Sequence, residues 1–180
     1  MTHSNKGLES IHYLETRSGR RILLGLCEGN WCSGGHRGRE KGNGKIVVAE
    51  LVPESAHDAC SWKPIKVIDL PAEIDMTDYA GFAFNGSRVA IVSQEDSTLW
   101  VGSYNFDDGR TEPEDYEFAA GGSVLTFPRN SACEIVYCNV EGVHWLDPWR
   151  IIVTSDKAKS TQPWRCVAKD QSVHIFAVPR

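Results

Sequence analysis

The chain has 180 residues, of which 41% are apolar and 24% charged, an ordinary globular composition with enough length for one domain and a sizeable core. No apolar run approaches the roughly 18 residues of a spanning helix, so no membrane partner is expected. The net charge of −5 weighs against general nucleic-acid binding. The polar opening residues, Met1 to Gly7, lack the apolar centre of a secretory signal. A cytoplasmic or organellar location follows as the expectation, and with it reduced cysteines.

The chain then repeats itself. The first strand reads Leu8-Glu9-Ser10-Ile11-His12-Tyr13-Leu14. A turn at Arg17-Ser18-Gly19 leads to a second strand opening on Arg21-Ile22-Leu23-Leu24 and meeting Glu28. A long loop over 29–44 carries Asn30, Trp31, Cys32, His36, Arg37, Arg39 and Lys41, and strands are expected at 45–51 and 64–70. The second copy is looser: Tyr79-Ala80-Gly81-Phe82-Ala83-Phe84, a turn at Asn85-Gly86, then Arg88-Val89-Ala90-Ile91-Val92 and Glu95. A short loop near 96–97 and strands at 98–104 and 124–127 complete it. The third copy reads Val140-Glu141-Gly142-Val143-His144-Trp145-Leu146, turns at Asp147-Pro148, and continues as Arg150-Ile151-Ile152-Val153 to Asp156. A long loop over 157–171, with Lys159, Gln162, Trp164, Arg165, Cys166 and Lys169, precedes a last strand at 173–178.

β-branched and aromatic runs of this length, punctuated by Gly, Asn, Asp and Pro, predict strands, and no segment shows a 3.6-residue apolar period. Arg21 and Arg88 are 67 residues apart and Arg88 and Arg150 are 62 apart. Four-stranded antiparallel units at such intervals predict an all-β fold, a partial β-propeller of three blades with 4, 4 and 3 strands. The expected arrangement is one propeller-type domain over 1–180 with blades near 8–71, 72–135 and 136–180; a β-sandwich is the alternative. Three blades cannot close a ring, so the chain is expected to form a homodimer or to be half of a longer propeller.

Strand alternation places Glu9 and Glu141 at the start of the inner strands and Glu28, Glu95 and Asp156 at the end of the next, all toward one face under the two long loops. Converging carboxylates need a cation or basic neighbours, and oxygen-rich sites suit Ca²⁺ or Mg²⁺. One reading is therefore a divalent-cation-dependent hydrolase of esters, lactones or phosphoesters, with Glu141, Glu9, Glu28, Glu95 and Asn30 as metal ligands. His144 or His12 would be its general base, and Arg37, Arg39 and Arg165 its substrate anchors. The other is a non-catalytic module holding a small molecule or a protein on the long-loop face. Strand-end acids also pair with neighbouring Arg and Lys, and a histidine alternating with buried positions serves equally well as a hydrogen-bonded core residue.

The stretch Val140-Glu141-Gly142-Val143-His144-Trp145 resembles the inner-strand motif of calcium-dependent propeller hydrolases, the gluconolactonase, strictosidine synthase-like and phytase-like groups. The resemblance implies a metal held by Glu141 first and by Glu9, in Glu9-Ser10, second.

Overall fold

A computed structural model describes residues 7–53, 60–105 and 111–179; the polar stretch at Met1 to Lys6 lies outside them. The chain is all-β. β1 (Leu8–Glu15), β2 (Arg21–Cys27), β3 (Lys45–Pro53) and β4 (Cys60–Asp69) form the first sheet. β5 (Tyr79–Asn85), β6 (Arg88–Ser93), β7 (Thr98–Tyr104) and β8 (Phe118–Thr126) form the second, and β9 (Val140–Asp147), β10 (Arg150–Ser155) and β11 (Val173–Ala177) the third. Each is antiparallel, each pairs its strands in chain order, and none closes on itself. Helix among the described residues is limited to short turns at Asn30–Cys32, Gly35–Gly38, Pro113–Asp115 and Trp164–Lys169.

Two strands begin earlier than expected, β4 at Cys60 and β8 at Phe118. Both are outer strands. The Ala119–Ser123 portion of β8 is small and exposed, so apolar patterning carries no sign of it. Pro64 lies within β4 where the register with β3 slips by one residue, a tolerated place for a proline on an edge strand.

The sheets stack face to face through two clusters. Leu14, Ile22, Leu24, Ile46 and Val48 of the first meet Phe82, Ile91 and Trp100 of the second. Ala90, Val92, Leu99 and Val101 on the other face of the second meet Val140, Trp145, Ile151 and Val153 of the third. The middle sheet thus buries both faces, as the continuous apolar runs of β6 and β7 require.

One irregularity recurs in every repeat. Leu8 and Ser10 face Cys27 and Leu26, Tyr79 and Gly81 face Ser93 and Val92, and Val140 and Gly142 face Ser155 and Thr154. Glu9, Ala80 and Glu141 are therefore the extra residues of three matching β-bulges, a device that re-aims side chains. Small residues follow each bulge. A β-carbon on Gly142 would lie 2.3 Å from Thr154 Oγ1, and one on Gly81 would lie 2.7 Å from the Glu141 carbonyl.

At the far end of the stack, Arg20 ties the first sheet to the second. It donates from Nε and Nη2 to Glu50, at 2.9 Å each, and from Nη1 and Nη2 to Glu114, at 2.9 and 2.8 Å, with Glu112 3.1 Å from Nη1. Arg20, not the repeated Arg21, is the clamp. The guanidinium holds the Glu114 carboxyl down at about 2 and lowers Glu50 as well. A carboxyl depressed in the folded protein leaves the unfolded chain the better proton binder in acid. The clamp is therefore fully effective above the ordinary carboxylate range and is lost as pH falls from 4.5 toward about 2. Acid unfolding followed by tryptophan fluorescence is expected to show that loss, and Arg20→Ala to flatten it. The effect is small, because the carboxylates face solvent.

Candidate functional site

The repeats also share a hydrogen bond just past the second strand. Glu28 N donates to the Gly7 carbonyl at 3.1 Å, Gln94 N to Asp78 at 3.2 Å, and Asp156 N to Asn139 at 2.9 Å. Glu28, Gln94 and Asp156 are thus equivalent. Glu95, expected in this set from its distance to Arg88, lies one residue further on. Arg88 pairs with Asn85, the counterpart of Leu14, and so matches Ile22 rather than Arg21, which makes the spacing counted from Arg21 one residue too long.

Where the second and third sheets meet at this end, a cleft of about 330 Å³ opens. Asp78, Gln94 and Glu95 line one side; Asn139, Lys159, Gln162, Pro163 and Arg165 line the other. Its floor is an amide network. Gln94 Nε2 donates to Asn139 Oδ1 at 3.3 Å and to Glu141 Oε1 at 2.7 Å. Asn139 Nδ2 donates to Gln162 Oε1 at 2.9 Å, and Gln162 Nε2 returns to Asn139 Oδ1 at 2.8 Å. Asn139 is buried, so these bonds replace the water it gave up and fix the floor. Arg165 Nε donates to the Ile135 carbonyl at 3.1 Å, and Nη1 lies 3.4 Å from Glu134.

Glu141 is exposed as a residue, but its carboxyl is drawn in by Gln94. Burial of the carboxyl pushes its pKa up; Asp156 and Asp78 add to this, while Lys159 opposes it. A carboxyl raised in the folded state binds its proton more tightly there than in the unfolded chain. Its ionisation as pH rises through the carboxylate range therefore weighs against the fold. Glu141→Gln is expected to leave thermal stability at neutral pH unchanged or slightly higher, whereas loss of a structural ion pair would lower it.

The residues expected to share a metal are dispersed. Glu9 is exposed on β1. Glu95 pairs with Arg39 at 2.8 Å. Asn30 is fully buried, and both its ends are used: Nδ2 donates to Gly38 and Met76 carbonyls, and Oδ1 accepts from Asn43 N and Tyr79 Oη. Glu28 is half-buried, and its carbonyl accepts from Tyr79 N at 2.9 Å. Among the described residues, no group of three or more His, Cys, Asp or Glu side chains is placed to hold a cation. The histidines stand elsewhere too. His12 lies between the first two sheets with its ring 4.5 Å from that of Phe84, and His144 is exposed on the outer face of the third sheet. Of the three arginines, only Arg165 combines a place in the cleft with a position off the Glu95 pair; Arg37 lies over the Trp31 ring at 5.1 Å.

The cysteines differ from expectation. Cys27 bonds to Cys32 and Cys138 to Cys166, while Cys60 and Cys133 are free and exposed. The first bond is local, whereas Cys138 reaches across to the 157–171 loop and pins the cleft wall. Beside that wall stands Trp164, 80% exposed, so this indole packs nothing away. No helix among the described residues is long and apolar enough to cross a membrane. No protein-family model matches the chain, and no curated protein matches it.

Proposed function

We propose that the chain is three blades of a β-propeller-type scaffold, and that it acts as a binding module for a small polar ligand carrying a carboxylate or phosphate. The repeated bulges, the in-order antiparallel sheets and the face-to-face stacking support the scaffold. The cleft carries the ligand reading. Its amide floor is internally bonded and rigid, and Lys159 and Arg165 stand along one wall, where a cation can bond to an anionic oxygen. Trp164, next to the lining residues Pro163 and Arg165, offers a flat apolar surface beside them.

Thermal-shift and calorimetric titration against a panel of sugar phosphates, nucleotides and hydroxy acids tests this. A ligand at a hundred times its Kd is expected to stabilise the protein by about 2.7 kcal/mol. Lys159→Ala and Arg165→Ala should each weaken binding about tenfold, and Glu141→Gln should not weaken it. Failure of the whole panel would remove the reading.

The divalent-cation hydrolase remains the second reading, on one observation: Asp156 and Asp78 each repel the Glu141 carboxylate beside the cleft, a repulsion that a cation would relieve. It requires the opposite result, with binding and turnover abolished by a chelator and by Glu141→Gln.

A further inference from the structure

Stacking in one direction leaves two unlike apolar faces at the ends of the array. The bulges place Leu8, Ile11 and Tyr13 at the positions of Tyr79, Phe82 and Phe84 in the second sheet and of Val140, Val143 and Trp145 in the third. In the second and third sheets this triplet packs against the sheet before it. Phe84 lies on His12, and Trp145 Nε1 donates to the Ala83 carbonyl at 3.1 Å. In the first sheet the same triplet meets solvent: Ile11 is 64% and Tyr13 51% exposed. Register continues the face through Leu23, Val47 and the exposed Val67.

The opposite end is the complement. His144 is the counterpart of His12, which receives the Phe84 ring. Around it on the outer face of the third sheet lie Leu146, Ile152, Val173 and Ile175, the last 57% exposed. Apolar patches of this breadth mark contact surfaces.

We infer that these two faces bind each other between two copies of the chain. The first sheet of each copy docks on the third sheet of the other, so that two chains close a ring of six sheets, and Tyr13 of one copy stacks on His144 of its partner. A second copy is the occupant because each chain carries both halves of a contact it already makes twice internally. A foreign partner would cover one face and leave the other in water. The contact is head to tail, and it closes only if six sheets complete the turn, within the range of four to eight blades that such rings use. The inference shares the repeat reading with the proposed function and does not depend on any ligand.

Sedimentation equilibrium of the full chain is expected to give a dimer. In a Cys60→Ser, Cys133→Ser background, the double variant Tyr13→Cys, His144→Cys should be linked by a short bismaleimide, which spans the roughly 10 Å between stacked sheets, into a species of two chains. Ile11→Glu changes an exposed side chain of the single chain, so it should keep the circular dichroism and cooperative melting of the parent. It should weaken association about a hundredfold, since it places a charge in an apolar contact. A monomer at concentrations of roughly 100 µM, a dimer indifferent to Ile11→Glu and without the cross-link, or a ladder of larger oligomers would each overturn the inference.

Discussion

Replacing Trp100 by alanine is expected to destabilise the protein by about 4 kcal/mol, the largest effect of any single truncation in the core. The indole is fully buried between the first and second sheets and meets Phe118 edge-on at 5.9 Å between centroids. It lies across Gly102 and Gly122, which face each other on β7 and β8. A β-carbon at Gly102 would come within 2.2 Å of the ring and one at Gly122 within 2.5 Å, so the glycines form the slot that the ring fills. Gly102→Ala should therefore cost about 1–3 kcal/mol through overpacking. Trp100 Nε1 is buried with no hydrogen-bond acceptor among the described residues. Trp100→Phe removes that N–H along with part of the ring and should cost much less than alanine. Urea unfolding followed by circular dichroism measures all three. Similar midpoints for Trp100→Phe and Trp100→Ala would show that the slot collapses around either side chain.

The second large effect concerns the disulfides. Cys138 and Cys166 are 28 residues apart, and closing that loop restricts the unfolded chain by about 3.5 kcal/mol in the chain-entropy treatment. Cys27 and Cys32, 5 residues apart, restrict it by only about 2 kcal/mol. Cys138→Ser with Cys166→Ser should thus lower stability more than Cys27→Ser with Cys32→Ser. It should also change the cleft, because both sulfurs of the longer loop belong to cleft-lining residues. Ligand affinity in the reduced protein is expected to fall while the sheets stay folded. Equal melting temperatures for the two double variants would contradict this.

The strands were legible because their signal is local. β7 runs over Thr98–Tyr104 as its apolar run predicts, and β1, β2, β5 and β6 differ from expectation by a few residues at their ends. In the outer strands β4 and β8 roughly half of the residues carry no apolar alternation, so the pattern marks only the remainder of each. The bulges were hidden for a related reason. An extra residue breaks the period of two, so Leu8 shares a face with Ile11 although strict alternation separates them. Glu95 looks like the partner of Glu28 for a different reason: Arg21 precedes by one residue the position that Arg88 holds, so Gln94 is the true counterpart. Most of the cleft lay beyond reach of the sequence. Gln94, Asp78 and Asn139 belong to no motif and are united only by sheet-to-sheet packing; Gln162 and Lys159 had only their place on a long loop to mark them. The pairing of Cys138 with Cys166 rather than with Cys133 likewise depends on where a loop folds back.

The two apolar clusters have no residue in common, yet both draw on the second sheet. Cooperativity in this molecule is therefore strung along a line, each sheet answering only to its neighbours. The second sheet is its keystone: without the third, the first and second keep a complete core between them, whereas without the second the outer two have nothing to rest on. Within a single undocked chain, opening accordingly spreads from the ends inward, and the amides of β6 and β7, which carry buried side chains toward both neighbours, are the last to yield.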